Sequence, residues 1–184
     1  NYLNWWYGPT VQRTRMDVVK EVSTNLLSTI QGINVGLMHF NDNEGGRIAY
    51  AMEDIETARS AIQEKIVSLN AAPWTPLSET LYESVLYFSG GNVDYGTASV
   101  STSRVTGNQS RYQTPIADPC QKNFVVLLTD GEPTKDVSAD SKIKGMTDRA
   151  TGTFSTLVGS TCDIESYPSG SQADGGVCLD DLAE

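Results

Sequence analysis

The stretch that most constrains the fold is NFVVLLTDGEPTKD, residues 123–136, in which an apolar run breaks off into acids. Phe124, Val125, Val126, Leu127 and Leu128 are consecutive and large, and β-branched residues sit among them. Such a run is too short for a helix and suits a strand buried on both faces. A strand of that kind needs other strands beside it and helices over both faces, so an α/β architecture is expected. The run ends at Thr129, Asp130, Gly131 and Glu132, with Asp136 shortly after. In open α/β sheets, ligands gather where strands end. Three readings of these acids stay open: a catalytic pair, metal ligands, or the polar start of a loop.

The rest of the chain supplies the helices. TRMDVVKEVSTNLLSTI, residues 14–30, repeats apolar side chains at helical spacing, with Thr14 and Asp17 suited to its first turn and Gly32 to its stop. DIETARSAIQEKIVSL, residues 54–69, places Ile55, Ala58, Ile62, Ile66 and Leu69 on one face. PLSETLYESVLYFSGG follows, with Leu77, Leu81, Val85, Leu86 and Phe88 as its expected apolar face and Gly90–Gly91 as its stop. INVGLMHFN, residues 33–41, reads as a buried strand; DNEGG turns the chain into a short second strand, RIAYAME. Residues 91–119 show little periodicity and read as a long Gly/Ser/Thr-rich loop. SADSKIKGMTDRA reads as a short helix, and the tail from residue 151 as mostly loop, with a helix starting near Leu179. The expected fold is a doubly wound, mostly parallel sheet. Two clear strands are few for 184 residues, so further strands are expected before Asn1 and after Glu184.

Charge and cysteines narrow the function. The net charge is −10, and stripes of Lys and Arg are absent, so nucleic acid is not an expected partner. The aromatic opening NYLNWWYGP is read as loop or core packing, or as a contact surface. Cys162 and Cys178 flank the loop DIESYPSGSQADGGV, which a disulfide would pin in an oxidising compartment; Cys120 would then be odd. Three free thiols are the alternative. His39 is the single histidine and is expected to be structural, and the spread of the cysteines argues against zinc.

For Asp130, the best companion is Thr75, which Pro73 and Pro76 hold just before a helix. Its hydroxyl can cap backbone N–H groups or face a hard cation. Ser78 and Glu79 fit the first helical turn instead. Neither G-x-S-x-G nor a phosphate-cradling glycine motif occurs. Asp130, Glu132 and Asp136 lie too close together to flank a substrate well, which weakens a two-carboxylate hydrolase.

FVVLLTDGEP and WTPLSETLYES resemble the third and second metal-loop segments of von Willebrand factor type A domains. Taken with NYLNWW, TRMDVVKEV, GLMHFN and GGVCLDDLAE, the chain is similar to the amino-terminal region of type IV pilus tip adhesin and assembly proteins. The resemblance implies one partial type A domain over residues 1–184, with Thr75 and Asp130 as metal ligands and no catalytic residues. Glu132 and Asp136 become peripheral. It implies Mg²⁺ or Ca²⁺ only alongside an Asp-x-Ser-x-Ser loop, which this sequence lacks: DVSAD at 136–140 is a near miss in the wrong place. That loop is expected upstream; loss of the site is the alternative. The implied setting is extracellular, at the pilus tip or outer membrane surface. The implied partners are minor pilins or the tip complex and a host or abiotic surface ligand, with a carboxy-terminal β-propeller in the longer protein. A metal-dependent hydrolase and a ligand-free scaffold stand as alternatives.

Overall fold

The computed structural model describes residues 13–129, 133–148 and 152–153. The first helix, α1 (Arg15–Thr29), opens with the expected cap: Thr14 and Asp17 exchange hydrogen bonds as a capping box. β1 (Asn34–Phe40) and β2 (Gly46–Asp54) then form a hairpin. α2 (Ile55–Ser68) starts directly from β2, with Asp54 Oδ1 accepting from Glu56 N. α3 (Leu77–Ser89) follows after a proline-bounded segment and stops at Gly90, whose φ of +66° is the left-handed geometry that favours glycine.

The β1–β2 hairpin is the centre of the molecule. Leu37 and Tyr50 are paired across it and pack with Val35 and Ile30 against Leu27, Ile55, Ala58, Ile62 and Ile66 of α1 and α2. The next pair, Met38 with Ile48, belongs to the other cluster, with Met52, Tyr87 and Tyr112. The alternation of the strand thus serves two layers, and helices cover both faces of a two-stranded sheet. A third cluster joins Tyr82 of α3 to Ala139 and Ile143. Ile55 and Ile62 are essentially fully buried, and each contributes about 1.5–3 kcal/mol of burial free energy.

The doubly wound, mostly parallel sheet expected from the sequence is not the fold. Among the described residues the strands form three two-stranded antiparallel sheets: β1–β2, β3–β4 (Arg104–Val105 with Asn108–Tyr112) and β5–β6 (Thr147–Asp148 with Gly152–Thr153). The reason is local. The turn between β1 and β2 is too short for a crossover, so the two strands must run antiparallel. Asn41 N donates to Gly45 O at 2.8 Å to close it. Residues 123–129, the described part of the expected central strand, join no ladder among the described residues. Phe124 is 79 % and Val126 77 % exposed, so hydrophobicity alone did not make this run a core strand.

Two further expectations change. The segment 91–119 is built rather than irregular: it holds a 3₁₀ turn (Ser101–Ser103), the β3–β4 hairpin and the fully buried Tyr112. α3 also turns a different face inward. Leu77 is buried as expected, but so are Ser78, Glu79, Thr80, Tyr82, Glu83, Ser84 and Tyr87, while the other expected residues, Leu81, Val85, Leu86 and Phe88, are half-buried. The short helix expected after residue 138 is present as α4 (Asp140–Lys144). Among the described residues no helix is long and apolar enough to cross a membrane.

Candidate functional site

The segment 73–79 at the foot of α3 is where two distant parts of the chain meet. Residues 134–139 lie along it and are fastened position by position. Thr75 N donates to Thr134 Oγ1 at 2.9 Å, and Thr134 N donates back to Thr75 O at 3.1 Å. The Lys135 ammonium sits 4.3 Å from the centre of the Trp74 ring, a cation–π contact. Lys135 adopts a φ of +54°, which turns the chain between these two attachments.

Asp136 is the next attachment and is fully buried. It accepts from Ser78 N and, at 3.0 Å, from Ser78 Oγ. α3 has Pro76 at its N-cap position and no local side-chain cap. Asp136 therefore supplies the cap from 58 residues away, and its negative charge sits favourably at the positive end of the helix. Glu79 completes the latch. Its Oε1 accepts from Ser138 N at 2.8 Å, Ser138 Oγ at 3.0 Å and Ala139 N at 3.1 Å. Its Oε2 is buried with no hydrogen-bond partner among the described residues.

One helical turn further on, Glu83 plays the same part for the 94–112 segment. It accepts from Asp94 N at 3.1 Å, Tyr95 N at 2.9 Å and the Tyr112 hydroxyl at 2.6 Å. Burial of Tyr112, and next its hydrogen bond to the Glu83 carboxylate, push the phenol well above its ordinary range, so it acts as a donor. Two carboxylates at i and i+4 of one helix thus each organise a loop through backbone N–H groups.

Thr75 therefore stands where the sequence put it, just before α3, but its hydroxyl does not cap the helix. The Thr75 side chain is half-buried and makes no hydrogen bond among the described residues. Asp130 and Glu132 lie outside the described residues, as do Cys162, Cys178 and the aromatic opening. Cys120 is exposed and has no disulfide partner among the described residues. Among the described residues no group of three His, Cys, Asp or Glu side chains could hold a metal ion. Asp136, read as peripheral from sequence, is one of the residues that join the two segments. Its signal was present but faint: a helix start with proline at the cap position must find a capping oxygen elsewhere.

His39 is half-buried on β1 opposite Arg47 of β2. Arg47 Nε donates to His39 Nε2 at 3.0 Å, and His39 Nδ1 lies 2.8 Å from the Phe40 carbonyl. The ring proton therefore belongs on Nδ1 and the ring is neutral. Burial lowers its pKa below the ordinary 6.5 and the Arg47 charge acts the same way, against the Phe40 carbonyl and Asp42. Both ring nitrogens are engaged, so neither is offered as a general base.

No family model, curated protein or solved structure matches the chain.

Proposed function

We propose that this chain is a non-enzymatic binding module of the adhesion and type IV pilus assembly kind, acting outside the cell on a surface ligand or on minor pilins. The observation that supports this reading best is the latch. The threonine segment and the segment following the acidic turn, 59 residues apart, are tied together at Thr75 and Thr134. In this reading, the loops brought together at the foot of the helix carry the binding surface. Thr75, with a hydroxyl that no described residue occupies, and Asp130 are the proposed cation ligands. They would hold Mg²⁺ or Ca²⁺ through oxygen, the donor both ions prefer. Two ligands are too few on their own, so an Asp-x-Ser-x-Ser loop from a longer polypeptide belongs to the proposal.

The hydrolase reading loses ground because a hydrolytic cation site needs a general base nearby, and the one histidine is committed to Arg47 and Phe40. Titration of Mg²⁺ and Ca²⁺ into a polypeptide that includes the segment before Asn1 tests the proposal. Saturable binding, weakened about tenfold or more by Thr75→Ala and by Asp130→Ala, is expected. Binding unaffected by both changes, or no binding at all, rejects the cation site and leaves the scaffold reading.

A further inference from the structure

A groove of about 390 Å³ lies beside the end of the β1–β2 hairpin, bounded by the last turn of α2 and the segment 69–72. Its polar lining includes His39, Arg47, Lys65 and Asp42. Its volume is in the range of small-ligand sites. Two observations distinguish it from ordinary surface. First, the chain as a whole carries −10, yet Arg47 and Lys65 both line this groove, whose lining holds the single acid Asp42, with His39 neutral. Second, these two cations are not spent on ion pairs. Neither the terminal guanidinium nitrogens of Arg47 nor the Lys65 ammonium has a hydrogen bond or salt bridge among the described residues.

Arg47 is also held in place. Its Nε is committed to the neutral His39 ring, which is itself anchored on the Phe40 carbonyl. A guanidinium fixed through Nε keeps its two terminal nitrogens as a fork, which matches the two oxygens of a carboxylate. Leu69, Ala72 and Val100 add apolar wall. We propose that this groove binds a carboxylate group carried on a small apolar body, with Arg47 and Lys65 as ligand-binding residues and His39 as the positioning residue for Arg47. Two basic groups against Asp42 leave one net positive charge, which suits a monoanion better than phosphate. The carboxylate can come from an acidic peptide side chain or from a free short acid. Thr75 is not among the residues that line the groove, and the proposal needs no metal.

The test is an NMR titration of the ¹⁵N-labelled chain in EDTA, following the Arg47 Nε–H and the Ala72 and Ala98 amides. The probes are isovalerate, the capped peptide acetyl-Gly-Glu-Gly-amide, isovaleramide and inorganic phosphate. Saturable shifts with isovalerate or the peptide are expected, and whichever binds more tightly identifies the source. Arg47→Gln and Lys65→Gln should each weaken binding about tenfold. His39→Phe should weaken it less and shift the free-state Arg47 Nε–H signal, while His39→Gln, which retains an acceptor, restores part of the affinity. Thr75→Ala should leave it unchanged, which separates this groove from the cation site. Equal binding of isovaleramide, tighter binding of phosphate, or wild-type affinity in Arg47→Gln would overturn the proposal.

Discussion

Two neighbouring stretches of the chain, residues 124–128 and 134–139, have exchanged the roles that their compositions suggest. The first is wholly apolar and exposed: its five side chains range from 39 % to 79 % accessible. The second is mostly polar and charged, yet Asp136 and Ala139 are fully buried. The difference is what each backbone can pair with. Residues 134–139 lie against the foot of α3, where a proline-capped start leaves N–H groups unsatisfied and Glu79 offers an acceptor. Residues 124–128 find no ladder partner among the described residues. Burial follows where polar backbone groups are satisfied, and an apolar run without that provision stays at the surface.

The rule behind this contrast is tested most strongly one turn along α3, at the carboxylate that holds the 94–112 segment in the way Glu79 holds 138–139. Glu83→Ala removes the acceptor for Asp94 N, Tyr95 N and the Tyr112 hydroxyl at once, inside a fully buried site. Hydrogen bonds to charged groups contribute about 1.5–3 kcal/mol each, and three sharing one carboxylate do not add fully, so a loss of about 4 kcal/mol is expected. The midpoint of urea unfolding measures it. Asp136→Ala comes next, at about 3 kcal/mol, because it leaves the Ser78 N–H and hydroxyl buried and unpaired. Its added signature is regional: amide exchange should quicken at the first turn of α3 and across 134–139. A uniform change across the protein would mean that Asp136 is not a latch.

How much of this could be read in advance differs from element to element. Amphipathic spacing located α1, α2 and α3, the Thr14–Asp17 cap was visible as a pair, and DNEGG marked the hairpin turn. These are local signals, carried by residues within a few positions of each other. The face of α3 was not legible, because Glu79 and Glu83 are solvent-seeking residues until loops from 138–139 and 94–112 are laid against them. The same holds for Asp136, whose partner is 58 residues away. The apolar run misled for the converse reason: composition says that a segment can be buried and says nothing of the strand that must lie beside it. At the candidate site, the position of Thr75 just before α3 was legible, while the part that Thr134 and Asp136 play in holding its segment was not.

A smaller effect comes from pH. The folded state holds His39 neutral with its pKa below 6.5, first through burial. Above that value the ring is neutral in folded and unfolded chain alike, and it adds no pH dependence. As pH falls below 6.5 the unfolded chain takes up the proton first, so stability declines down to the folded pKa and then levels. Protonation also removes the lone pair that receives Arg47 Nε–H. His39→Gln should flatten this part of the stability curve between pH 7 and 5, measured by urea unfolding. A slope that survives the substitution would assign it to carboxylates instead.

The smallest expected effect completes the comparison from the apolar side. Val126→Thr changes a residue that is 77 % exposed and makes no hydrogen bond among the described residues. Exposed substitutions of this kind stay within about 0.5 kcal/mol. Unfolding should therefore be nearly unchanged, while binding of a hydrophobic dye should fall and solubility rise, because five adjacent apolar side chains form a patch. A loss of about 2 kcal/mol or more would show that the run is covered in solution. In that case its backbone has found a partner strand, and the contrast between the two stretches would collapse into a single rule: both are buried wherever their N–H and C=O groups are met.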